Sequence, residues 1–156
     1  MKIPFRLLRL SLPALALALL GVSLPCRATL GSDLSSVKND QAHFKASLQV
    51  SPGERYSVQE MRVPYGTTIR EYTTPSGKIF AVAWQGPWRP DLRQLLGDYF
   101  SDFQQAAKGK RGGHTGPFAA ATSRLAIEMS GHPRAFYGRA YAPDLVPSGI
   151  SPADIH

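Results

Sequence analysis

The sequence predicts an α+β domain: an antiparallel sheet of about six strands, in the order β-β-β-β-α-β-β, packed on one long helix. Three observations carry that prediction. Short alternating or β-branched segments recur between residues 43 and 141, separated by turns that contain Pro and Gly. One segment, 92–107, repeats its apolar residues at helical spacing. The connections are short, which favours antiparallel neighbours over crossover units.

The domain is preceded by residues 1–28, which have the three parts of a cleavable secretory signal. A basic start carries Lys2, Arg6 and Arg9, and an uncharged apolar run covers residues 10–24, short of the ~20 residues of a membrane-spanning helix. Pro25 then breaks the run, and Cys26-Arg27-Ala28 sets small residues at the −3 and −1 positions of a cut before Thr29. An uncleaved anchor and lipidation at Cys26 are the competing readings. The short run argues against the first, and Leu24-Pro25, without the small residues of a lipoprotein site, against the second.

Such a cut changes the chemistry of what remains. The only cysteine leaves, so the mature chain has no disulfide, thiolate nucleophile or cysteine metal site. Four of 18 basic residues leave and none of the 11 acidic ones, so the net charge falls from +7 to +3. That balance gives little support to nucleic-acid binding. The expected address is periplasmic or secreted, with no transmembrane span after cleavage.

Residues 29–42 are polar and unpatterned and read as an N-terminal arm. In 43–50, Phe44, Ala46, Leu48 and Val50 alternate with polar residues, the period of a half-buried strand, and Ser51-Pro52-Gly53 turns the chain. Residues 56–63 continue extended with a phase shift between Val58 and Met61 that suggests a bulge or an edge. Residues 67–74 and 78–84 form a hairpin around Thr74-Pro75-Ser76-Gly77; the almost wholly apolar KIFAVAW is a central strand covered on both faces. Asp91 caps the helix, whose stripe is Leu92, Leu95, Leu96, Tyr99, Phe100 and Phe103. Residues 108–117 are a Gly-rich basic loop. Leu125, Ile127 and Met129 mark a fifth strand ending at the turn Ser130-Gly131-His132-Pro133, and 134–141 make a sixth. The single α+β domain therefore spans 43–141, and 142–156, with three prolines, is an extended C-terminal tail.

The stretches VPYGTTIREYTTPSGKIFAVAWQGPWRPDLRQLLGDYF and SGHPRAFYGRAYAPDLVPSGISPADI resemble the uncharacterised bacterial domain-of-unknown-function family numbered 2844, found in exported proteobacterial proteins. The resemblance covers nearly the whole mature chain and implies a small exported protein. It brings no activity, ligand or catalytic residue with it.

Candidate chemistry is sparse. The Gly-rich loop leaves a helix and lacks Gly-Lys-Ser/Thr, so it is not a phosphate loop, although Lys108, Lys110 and Arg111 offer contacts to an anionic lipid or polymer. His43, His114, His132 and His156 have no paired spacing, and neither a metal site nor a cofactor is expected. No G-x-S-x-G elbow is present. The most informative feature is Trp84-Gln85-Gly86-Pro87-Trp88, where two indoles flank a rigid turn; they either present flat binding faces beside Gln85 or seal the sheet against the helix. The last strand adds Arg134, Tyr137 and Arg139, a basic and aromatic set that could form a partner-accepting edge. These residues suggest a non-enzymatic binding or assembly accessory for an envelope component or protein partner, not for nucleic acid. The alternative is an envelope hydrolase built on sheet-borne Glu71, Glu128 and His132, where pairing with arginines is the blander fate of the carboxylates.

Overall fold

A computed structural model describes residues 29–108 and 116–156. Its strands are β1 (Ser47–Ser51), β2 (Ser57–Arg62), β3 (Thr68–Thr73), β4 (Ile79–Gly86), β5 (Phe118–Ala121), β6 (Ala126–His132) and β7 (Ala135–Tyr141). They form one antiparallel sheet of seven strands in the order β1-β2-β3-β4-β7-β6-β5. The helices are α1 (Ser36–Phe44), α2 (Leu92–Leu96) and α3 (Phe100–Lys108). The α+β architecture is as the sequence predicts, with one strand more.

β4 lies at the centre and is buried on both sides, which is why it reads as a continuous apolar run. On the helix face, Met61, Ile69, Val82, Trp84, Ile127 and Ala140 pack with Val37, Phe44, Leu95 and Leu96 of the helices. On the opposite face, Tyr72, Phe80, Ala81 and Ala83 are covered by C-terminal Ile155, with Tyr56, Tyr141, Val146 and Ile150 around them. We call this the tail face. A register shift beside Tyr72 and Thr73 turns both Phe80 and Ala81 toward it. The expected β3–β4 hairpin is present: Thr74 N–H donates to Lys78 O at 2.8 Å, and Gly77 takes φ +86°, where a Cβ would be strained.

Several local expectations are corrected. Residues 29–42 are an arm that docks and is structured, not an unpatterned surface segment. Leu30 N–H donates to Leu95 O at 3.0 Å and Gly31 N–H to Ile79 O at 2.8 Å, and 36–44 coil into α1, whose Val37 and Phe44 are buried. The alternation read in 43–50 thus crosses a helix end: Lys45 adopts φ 52° and closes α1, and only from Ser47 is the chain a strand. Phe44 and Ala46 are both buried there without belonging to one strand face.

The phase shift in β2 is neither a bulge nor an edge. β2 pairs without interruption to β1 and β3; Val58 serves the tail face and Met61 the helix face, so apolar residues of both parities are needed. The long helix is present, running through α2, a 3₁₀ turn at Gly97–Tyr99 and α3. β6 runs on to His132, and the β6–β7 turn is Pro133-Arg134, with Arg134 at φ 71°. Gly131 stays within the strand because a Cβ there would lie 2.2 Å from Ala135 O. The tail is not simply extended: 3₁₀ turns at Pro143–Leu145 and Pro152–Asp154 fold it back so that Ile155 is buried.

Candidate functional site

The tail covers only part of its face. Where it stops, β4, β7, β6 and β5 form the floor of a groove enclosing about 730 Å³, walled on one side by Ile155 and His156. Strand register sets its side chains. Gln85 lies opposite Tyr137, and Tyr137 opposite Ser130, so amide, phenol and hydroxyl stand in one row across the sheet. The next row is Ala83, Arg139, Glu128 and Ala119. Tyr137 is 57% exposed, the largest aromatic surface on this face of the groove that is not engaged in the core.

Arg139 is a wall, not a free donor. Its Nη2 donates to Glu128 Oε2 at 2.8 Å, and its Nη1 donates to the carbonyl of Pro152 at 2.6 Å. The tail is pinned again where Tyr72 hydroxyl donates to His156 O at 2.6 Å and Arg70 Nη1 to the same oxygen at 3.2 Å. The groove wall is therefore held by side chains of the sheet itself.

The predicted residues divide as follows. Gln85, Tyr137 and Arg139 gather in the groove. Arg134 stands on the β6–β7 turn and lines an adjoining depression with His132 and Phe136. The two indoles separate: Trp84 is buried on the helix face, over Gly138, while Trp88 is 59% exposed in the loop after β4. They form no paired platform, because the strand turns one side chain inward and the loop carries the other out. Lys108 lies at the end of α3 beside a second groove on the helix face, lined by Phe100, Phe103 and Phe118. Lys110 and Arg111 lie outside the described residues, as do residues 1–28.

The hydrolase set is not assembled. Glu71, opposite Val82, belongs to the helix face, and Glu128 belongs to the tail face, where it is paired with Arg139. His132 shares β6 with Glu128 but is four residues on, about 13 Å at strand rise. His132 and Glu128 line different depressions. Among the described residues no three His, Cys, Asp or Glu side chains cluster as metal ligands.

Sequence reasoning missed a buried polar cluster on the helix face. Thr29 hydroxyl donates to Asp40 Oδ2, and Gln94 Nε2 donates to Asp40 Oδ1. Glu71 adjoins Asp40 and Thr29, yet neither of its oxygens receives a hydrogen bond of good geometry. Burial pushes the Glu71 carboxyl well above the usual carboxylate range, and the neighbouring Asp40 charge pushes it further. Asp40 is raised too, chiefly by burial, against the pull of its bonds from Gln94 and Thr29. Asp40 sits in what reads as a polar arm, and only the docking of that arm brings it to β3.

Residues 26–155 match a family model described as a protein of unknown function (DUF2844). No curated protein and no solved structure matches the chain.

Proposed function

We propose a function from the sequence and the geometry, since the chain belongs to the DUF2844 family, described as a protein of unknown function. In this reading the protein is exported and acts as a non-enzymatic binding or assembly accessory in the bacterial envelope, with its ligand in the tail-face groove. Export is supported by the order of basic, apolar and small residues in 1–28.

The observation that carries the binding half is the row Gln85, Tyr137 and Ser130 in an open groove. An exposed phenol ring offers an apolar face, while the amide and hydroxyl beside it donate and accept, so the surface suits a polyhydroxylated ligand such as an envelope glycan. The separation of Glu71, Glu128 and His132 gives the hydrolase alternative no comparable support.

The exported protein is to be titrated with soluble chitooligosaccharides and with muramyl dipeptide, followed by amide chemical shifts. Perturbation centred on Gln85, Ser130 and Tyr137, with affinity at least tenfold weaker in Tyr137→Ala, supports the reading. No binding, binding indifferent to that substitution, or turnover of the glycan lost in Glu71→Gln or His132→Ala overturns it. Cell fractionation tests the export half separately.

A further inference from the structure

The export reading puts a cut between Ala28 and Thr29, and the inference here rests on that reading. Thr29 is fully buried. Its backbone nitrogen donates to the carbonyl of Gln94 at 3.2 Å, while its hydroxyl reaches Asp40, so nitrogen and acid are separated by no more than the width of one residue. Gln94 closes the arrangement by donating to the other Asp40 oxygen.

Glu71, also fully buried, stands beside Thr29 and Asp40, and neither of its oxygens receives a hydrogen bond of good geometry. Its cross-strand neighbour Gln59 is committed elsewhere: the Gln59 amide donates to Ser57 at 3.0 Å and its carbonyl accepts from Thr73 at 2.6 Å. Two acids thus share an interior in which no Lys or Arg among the described ion pairs reaches them. His43, on the same helix as Asp40, is exposed and faces Asp91 at 3.8 Å; its charge, when protonated, acts on Asp40 through space, as the weakest of the influences on that acid, and makes no hydrogen bond to it. A buried carboxylate pair without a cation is a costly arrangement unless a proton or a positive charge joins it.

We propose that cleavage after Ala28 turns the Thr29 nitrogen into an α-ammonium that Asp40 and Glu71 hold as a buried ion pair, so that removal of the leader completes the folded interior. The bond broken is the Ala28–Thr29 amide. Water supplies the hydroxyl that makes Ala28 a free carboxyl and the hydrogen that makes Thr29 an amine, and the amine takes one further proton from solvent or from the acid pair. An ammonium has three donors, enough to keep the Gln94 carbonyl and add both acids. Because Thr29 is fully buried in the folded domain, the cut must precede folding, which suits a leader removed during translocation.

The test compares the exported protein with one carrying an extra alanine inserted between Ala28 and Thr29, which moves the α-ammonium along by about 3.8 Å. Each is made with and without Glu71→Gln, and mass spectrometry reads the mature start. A start at Thr29 is expected, with the insertion lowering the folding equilibrium constant on the order of 100-fold, and by less than tenfold in the Glu71→Gln background. The native Thr29 amine is also expected to resist amine-reactive reagent until the protein unfolds. A Thr29 start with an insertion that costs nothing, or that costs the same in both backgrounds, overturns the ion pair in favour of a shared proton and leaves the export reading standing. A mature start elsewhere, or no processing, overturns both.

Discussion

Replacing Gly138 with alanine tests how tightly β7 is clasped between the groove and the core. A Cβ on residue 138 would lie 2.3 Å from Cζ2 and 2.7 Å from Cε2 of Trp84, and 2.8 Å from Cβ of Met129. All three are far inside van der Waals contact, and the indole is itself held among Ile69, Val82 and Leu95 in the helix-face core. Relief requires Trp84 to leave its rotamer or β7 to lift, and overpacking of this kind costs about 1–3 kcal/mol. At roughly 4 °C per kcal/mol for a domain of this size, the melting temperature should fall by about 4–12 °C. Thermal unfolding by circular dichroism measures it, and fluorescence gives a second reading, because buried Trp84 and exposed Trp88 differ in access to quencher. The variant should raise the accessible fraction. A melting temperature within 1 °C of the parent, with quenching unchanged, would mean that the indole does not rest on Gly138 and that the groove floor can yield.

Two further predictions concern the polar groups that fix the helices. In a chain that still carries a residue before Thr29, the Glu71 carboxyl holds its proton more tightly folded than unfolded, so stability is full below the ordinary value near 4.5 and declines as pH rises above it, by up to about 1.4 kcal/mol per pH unit. Glu71→Gln should remove Glu71's share of that slope and leave the smaller share of Asp40, so the stability gap between variant and parent widens from pH 4.5 upward in denaturant titrations; parallel curves would refute the burial of an ionisable group there. Asp91 Oδ1 accepts from the backbone N–H of Arg93 at 2.9 Å and of Gln94 at 3.3 Å. Asp91→Ala should cost about 1 kcal/mol by thermal melting, and an effect below about 0.3 kcal/mol would deny the cap its role.

The fold was legible where one physical signal dominated. The apolar run of β4, the Thr74–Gly77 turn and the Asp91 cap are local, and each appears where its residues imply. The first helix was not legible, because its apolar residues Val37 and Phe44 are few and its stability comes from docking on the sheet, not from its own pattern. Phase in β2 misled for a related reason: two-sided burial abolishes the alternation that one-sided burial creates. The groove was half legible. Gln85, Tyr137 and Arg139 come from two strands whose pairing is visible only in the register, and the wall at Ile155 and His156 comes from a tail whose prolines conceal that it folds back. The Thr29, Asp40, Glu71 and Gln94 cluster left no signal, since its members come from four separate segments and each is unremarkable in its own.

The two polar sites also explain why the sheet is covered unequally. Helices bury one face with apolar side chains and enclose their acids, so charge there must be neutralised within the protein. The tail buries the β2–β3–β4 side of the other face with Tyr141 at the end of β7, and stops at Arg139, whose guanidinium joins Glu128 to the Pro152 carbonyl. Beyond that line the strands face solvent with Gln85, Ser130, Glu128 and Tyr137, residues that need no cover. Arg139 thus sits at the border between core and groove. A ligand that drew Glu128 away would leave Arg139 oriented only by its bonds to the Pro152 and Ile155 carbonyls, so groove occupancy and tail anchorage share one side chain.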